Sequence, residues 1–246
     1  MYCIDINDVY GYMICSFKFS FSHKEEKELD CFQNVKARIY SELFDYIMYR
    51  ISTNQAVTVP EINKKLNYIW NSIQSSLKYK TNISEKISIK NRLISIVNIF
   101  NTVSTVVYYK LPRTIKILNT EILYNIYTYI DLGLTKSIIK LDNIHIGLNE
   151  GSSNIQVLLN IIAKDIKRII DSDVSIFRCD TAEIYKLVEE KSSKSITENI
   201  VKGIENEIQI PKNDFVTCST CSYRTKCSWS SKKRSEEHTS ELQSPS

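Results

Sequence analysis

The sequence predicts an α/β fold, on three observations. Apolar residues recur about every four positions through most of the first 110 residues, the period shifts to two after Pro112, and strand-like and helix-like segments then alternate as far as Ile208. Hydrophobic residues make up 43% of the 246 positions, enough to fill one sizeable core, or one core with a small appendage. No apolar run approaches the roughly eighteen residues of a membrane span, and no basic segment followed by an apolar stretch opens the chain. The expectation is a cytoplasmic protein with no membrane partner.

The helices come first. Asp5 and Asn7 are N-cap residue types, and Ile6, Val9, Tyr10 and Met13 fall at helical spacing, which predicts a short helix leading into Cys15. Phe17 to Phe21 alternates and is expected to pack aromatic rings on the core. Val35, Ile39, Leu43, Ile47 and Ile51 form the stripe of a long helix between Leu29 and Ile51. Pro60 lies near the first turn of a second helix, whose buried face is Ile62, Leu66, Ile69, Ile73 and Leu77. A third is predicted from Ser84 to Val107 through Ile89, Leu93, Ile96, Phe100 and Val103. Residues 30–110 therefore read as a helical lobe.

The sheet follows. From Glu121 to Asp131, the residues Ile122, Tyr124, Ile126, Thr128 and Ile130 alternate with Leu123, Asn125, Tyr127 and Tyr129, a strand pattern. Ser137–Leu141 and Ile144–Leu148 read as two short strands around a tight turn at Asp142-Asn143, and Gly151-Ser-Ser breaks the chain. A helix from Ile155 to Ile170, a strand Val174–Arg178, a strand Glu183–Val188 and a helix Ser195–Ile208 complete the sheet core, residues 114–208. Residues 211–230 form a cysteine-rich end, and no internal repeat is visible.

That end reads Cys218-Ser-Thr-Cys221-Ser-Tyr-Arg-Thr-Lys-Cys227, a C-x2-C-x5-C motif. Thiolates so closely spaced in a reducing compartment are metal ligands before they are disulfides, and a tetrahedral zinc or an iron–sulfur cluster needs a fourth. Cys3, Cys15, Cys31 and Cys179 are the candidates for it. Residues 234–246, from Arg234-Ser-Glu-Glu-His onward, resemble the in-frame translation of a sequencing adapter and are set aside as an artefactual tail, so residues 1–233 are taken as a single domain. The formal net charge of +4 becomes +6 without Arg234, Glu236, Glu237 and Glu241, mildly basic and compatible with an anionic partner. The abundance of Ile, Asn, Lys and Tyr is that expected of an AT-rich genome, so the lysine count is not itself read as a sign of nucleic-acid binding.

The two ends of the chain together resemble the iron–sulfur branch of the RecB-like PD-(D/E)XK nucleases, which includes CRISPR-associated exonucleases and AddB-type helicase–nuclease subunits. Ile6-Asn-Asp-Val-Tyr10-Gly-Tyr-Met-Ile-Cys15-Ser-Phe17-Lys-Phe19 is similar to the family's N-terminal segment, with Ser16 where proline is usual. Ile200 through Pro211 to Cys227 is similar to its C-terminal segment in order, spacing and residue type. The resemblance implies a restriction-endonuclease-type core, a small mixed sheet flanked by helices. It also implies a [4Fe–4S] cluster on Cys15, Cys218, Cys221 and Cys227, with Cys3, Cys31 and Cys179 left as buried thiols. A bond set joining Cys15 to Cys218 would close a loop of some 200 residues and remove roughly 5 kcal/mol of unfolded-state entropy. The alternative is a zinc-stapled interaction module, with a residue such as Cys179 completing the trio.

The resemblance also implies Mg2+ held by an acid at the end of the first long strand and an acid on the next, with a lysine two residues later, since hard cations need oxygen ligands. Asp131 supplies the first. In the segment Ile144 to Gly151, Gly147 and Asn149 stand where the second acid and the lysine are expected, which leaves Glu150 as the substitute acid. Ala37-Arg-Ile-Tyr40 lacks the expected imidazole, and Gln156-Val-Leu-Leu-Asn160 keeps the glutamine of the family's helix but not its tyrosine. Asp131, Glu150 and Gln156 are thus the candidate catalytic residues, and Lys212, Arg224 and Lys226 the candidate phosphate contacts. The expected function is DNA processing or repair by a DNA-binding or structural module with an eroded catalytic site, acting on single strands or ends beside a helicase or nuclease partner protein. The alternative is an active Mg2+-dependent exonuclease.

Overall fold

A computed structural model describes residues 2–16, 32–74, 83–100, 102–141, 152–179, 181–187, 194–206 and 208. Among these, the chain runs β1 (Tyr2–Asp5), α1 (Ile6–Ile14), α2 (Phe32–Ser52), α3 (Val59–Gln74), α4 (Ile83–Phe100), β2 (Val103–Ile117), β3 (Thr120–Asp131), β4 (Leu134–Leu141), α5 (Ser152–Ile169), β5 (Asp173–Arg178), β6 (Glu183–Lys186) and α6 (Lys194–Glu205). It is a mixed sheet flanked by helices, the α/β class the sequence predicts.

β3 is the spine. β2 lies antiparallel along its whole length on one side. On the other side its first half pairs parallel with β1, Tyr2 opposite Thr120, and its second half pairs antiparallel with β4, Asp131 opposite Leu134. β4 then pairs parallel with β5 through the α5 crossover, and β6 closes the edge antiparallel to β5. The β3–β4 hairpin turns on Leu132 (φ 50°) and Gly133 (φ 80°), two consecutive left-handed residues as a type I′ turn requires.

Alternation along β3 and β4 divides the core in two. Tyr127, Tyr129, Ile138, Phe177 and Cys179 face α2, α3 and α4, where Phe44 stacks on Phe177 with centroids 4.3 Å apart and meets Tyr127 edge-on at 5.0 Å. Ile122, Tyr124, Ile126, Ile139 and Leu141 face the other way, against Ile6 and Val9 of α1, Leu158, Leu159 and Ile162 of α5, and Val201 of α6. The predicted stripes are the buried ones: Val35, Ile39, Leu43 and Ile47 in α2, and Ile62, Leu66, Ile69 and Ile73 in α3. Caps set the starts. Asp5 Oδ1 accepts from the Asn7 backbone N–H at 2.8 Å, and Thr58 and Glu61 form a reciprocal capping box at α3, Glu61 Oε2 accepting from Thr58 N at 3.1 Å.

Two expectations need correction. The third helix stops at Phe100, and Val103 to Val107 belong to β2, because the β-branched run Val103-Ser-Thr-Val-Val pairs with the exposed edge of β3. The strand Tyr2–Asp5 was not predicted, so residues 1–110 are not all helical. The strand expected at Ser137–Leu141 is present as the second half of β4, paired with β3 through Ile139 and with β5, and the turn expected at Asp142-Asn143 lies outside the described residues. The predicted strand Ile144–Leu148 and the Phe17–Phe21 segment lie outside the described residues.

Candidate functional site

A charged side chain in an apolar central strand must find a partner. Lys140 is such a residue, set between Ile139 and Leu141 on β4 with its side chain only 6% exposed. By alternation it points to the α2 face, as Lys136 and Ile138 do. There α2 presents Ser41 and Asp45, one turn apart and on the same side as the core residue Phe44. Lys140 Nζ donates to Asp45 Oδ1 at 2.8 Å and to Ser41 Oγ at 3.0 Å. The Tyr127 hydroxyl donates to the same Asp45 oxygen at 2.6 Å, and Lys110 Nζ of β2 reaches Asp45 Oδ2 at 3.1 Å.

Burial pushes the Asp45 carboxyl upward, but the Lys140 and Lys110 charges and the Lys140 and Tyr127 hydrogen bonds outweigh it and hold the group below the usual carboxylate range. Tyr109, beside the pair, moves the other way: burial first and the Asp45 charge second raise its phenol. The result is an ionised aspartate with both oxygens engaged by cationic or phenolic donors. A divalent metal needs several free oxygen ligands, and both oxygens of this carboxylate already accept hydrogen bonds.

The α2 positions nearest the expected imidazole are hydrophobic. Ala37 and Tyr40 are buried in the core on this face, and burial raises the Tyr40 phenol to about 12 against a smaller opposing effect from Arg92. Nor does β4, Leu134–Leu141, the strand that pairs with β3, contain a carboxylate.

Asp131 is found at the β3–β4 turn, 8% exposed, where Lys136 pairs with it across the hairpin. The hydrogen bond from Lys136 holds its carboxyl below the ordinary range, and Oδ1 is buried with no hydrogen-bond partner among the described residues. Asp131 follows Tyr127 and Tyr129 on the α2 side of the sheet, whereas Gln156 belongs to α5, which packs on the opposite side. The sheet separates these two candidates. Gln156 is half-buried, and Asn160 one turn on is 3% exposed, with neither its oxygen nor its nitrogen hydrogen-bonded among the described residues. Glu150 lies outside the described residues, as do Lys212, Arg224, Lys226, Cys31, Cys218, Cys221 and Cys227.

α1 and the residue beyond α6 do meet. The Tyr12 hydroxyl of α1 donates to the Ile208 carbonyl beyond α6 at 2.6 Å, a bond spanning 196 residues. Gly203 lies against the Tyr12 ring, where a Cβ would come within 2.5 Å of the phenol oxygen. Cys15 caps α1, its N–H donating to Gly11 O at 3.0 Å, and is partly exposed. Cys218 follows Ile208 by ten residues, a length that spans up to about 33 Å when extended. A thiol at Cys15 is therefore within chain reach of the trio, and four thiolates are the donor set an iron–sulfur cluster takes. Cys179, fully buried, behaves as the small hydrophobe expected. Cys3 does not: it is exposed, because α2 to α4 do not cover the end of the sheet where β1 pairs.

Among the described residues no three His, Cys, Asp or Glu side chains come together as a metal site, and no helix is long and apolar enough to cross a membrane. A scan against models of protein families and a search of curated proteins found no match to the chain.

Sequence reasoning missed Asp45, Ser41, Tyr127 and Lys140. The available signal was Lys140 itself, a lone charge in Ser137-Ile-Ile-Lys-Leu141, which cannot be a buried strand without an acid opposite it.

Proposed function

We propose that the chain is a DNA-binding or structural module of DNA processing or repair, of the iron–sulfur RecB-like kind, in which an internal ion pair stands in place of a phosphodiester-cleaving metal site. The observation that carries this reading is the Lys140–Asp45 pair. On the strand next to the long β3, the residues facing α2 are Lys136, Ile138 and Lys140, so that face offers ammonium groups and not metal-binding carboxylates. At Asp131, Lys136 takes one carboxylate oxygen and leaves Oδ1 buried without a hydrogen-bond partner among the described residues, and one such oxygen is short of the several ligands a divalent metal takes. The cysteine reading is supported by the meeting of α1 with the segment after α6. Cys15, Cys218, Cys221 and Cys227 would hold the cluster, whose contribution is to staple the two ends, and Lys212, Arg224 and Lys226 would contact phosphates beside it.

Incubating the full chain with end-labelled single-stranded DNA, with Mg2+ or Mn2+ and at rising salt, tests this. The expected result is a complex that weakens steeply with salt and DNA that stays full length. Shortening of the DNA that Asp131→Ala abolishes would replace this reading with that of an active exonuclease. Zinc in the protein without DNA binding would replace it with the zinc-stapled module.

A further inference from the structure

β2 breaks register three times, once between Val103 and Thr105 and twice in close succession farther along. Register shifts fall between Val106 and Tyr108 and between Tyr108 and Leu111, Lys110 sits in the left-handed region at φ 54°, and Val107 to Lys110 are all exposed where a regular strand would bury every second residue. A bulky residue held at positive φ costs free energy and marks a position kept for another reason. The bulge sets Tyr109 against Tyr49 of α2, ring centroids 5.9 Å apart. Around the same helix, Lys65 of α3 lies 5.7 Å from the Tyr46 ring centre and 5.2 Å from that of Tyr68. Tyr49 is 50% exposed and Tyr68 69%, so a broad tyrosine surface spaced by ammonium groups runs from the bulge across α2 to α3.

We infer that this face, from Tyr109 and Lys110 through Tyr49 and Tyr46 to Lys65 and Tyr68, is a stacking platform for single-stranded nucleic acid. Flat rings accept unstacked bases of any sequence, and ammonium groups between them attract the backbone phosphates. Duplex bases hide their faces, so the platform favours single strands. The acids nearby do not reverse its charge: Lys140 and Lys110 set two positive charges against the single negative charge of Asp45, which leaves one positive in excess, and Arg50 pairs Glu61 at 2.6 Å. This inference rests on the proposal that the chain binds DNA, and adds the surface and the strand preference.

The test is fluorescence anisotropy of a labelled oligothymidylate with the full chain, comparing Tyr49→Leu/Tyr68→Leu with Tyr49→Phe/Tyr68→Phe. The leucine pair should weaken binding about tenfold or more and the phenylalanine pair should bind like the wild type, since stacking needs the ring and not the hydroxyl. Lys65→Gln should lower the slope of log affinity against log salt by about 0.7, one phosphate contact. A duplex of equal length should bind more weakly. Unfolding midpoints should fall only slightly, since both rings are largely on the surface and Tyr49 gives up one edge contact with Tyr109. Wild-type affinity in the leucine pair, equal loss in the phenylalanine pair, or equal duplex affinity overturns the platform while leaving DNA binding in place. No binding by the wild type overturns both.

Discussion

Removing the Lys140 ammonium would leave Asp45 with a reduced set of partners in a largely closed site, so Lys140→Met should destabilise the fold. Breaking one side of a buried pair costs about 3–5 kcal/mol, and the Lys110 contact and partial exposure of Asp45 lower that to about 2–3 kcal/mol. Lys140→Met with Asp45→Leu should recover most of the loss, because an apolar pair in that space removes both charges. Urea unfolding of the three proteins checks this. The pH dependence has a definite sign. The Asp45 carboxyl titrates lower in the folded chain than in the unfolded one, so its contribution is present above about pH 4 and disappears as pH falls through the folded value. Asp45→Asn should therefore flatten the loss of stability on the acid side. Cation and acid lie 95 residues apart in the sequence, on a strand and a helix, so neither the four-residue nor the two-residue period could pair them.

At the scale of elements, the contact between α1 and α6 offers the sharper test. Alanine in place of a helical glycine ordinarily gains about 1 kcal/mol. Gly203→Ala should instead lose about 1 kcal/mol or more, because the new methyl displaces the Tyr12 phenol and breaks its bond to Ile208. In a Tyr12→Phe background the same change should be neutral or stabilising, a coupling that a double-mutant cycle in urea reads directly. Helices were the legible elements. The stripes of α2 and α3 bury the residues their periods predict, since those faces pack on one sheet surface. β1 and the start of β2 were not legible: four residues at Tyr2–Asp5 carry too little period, and Val103–Val107 continue the apolar spacing of α4 until pairing with β3 decides their state. The turn at Leu132-Gly133 was half legible, through its glycine.

Across the whole molecule, the sheet keeps the sequence-derived candidates apart. Asp131 shares a face with Asp45 and Lys140, while Gln156 rides on the helix behind. A pattern read along one chain cannot tell which side of a sheet a helix will cover, and that is why the separation of Asp131 from Gln156 was not legible. The helix that ends at Cys15 was legible from its local sequence, and the long-range contact of Tyr12 with Ile208 brings that helix to the residue beyond α6. The central claim is that Cys15, Cys218, Cys221 and Cys227 staple these two ends around one cluster, and iron, acid-labile sulfide and zinc content of the chain purified without oxygen tests it most directly. About four irons and four sulfides per chain, lost in Cys15→Ser, are expected; one zinc per chain, or an iron content indifferent to Cys15, would overturn the four-cysteine cluster.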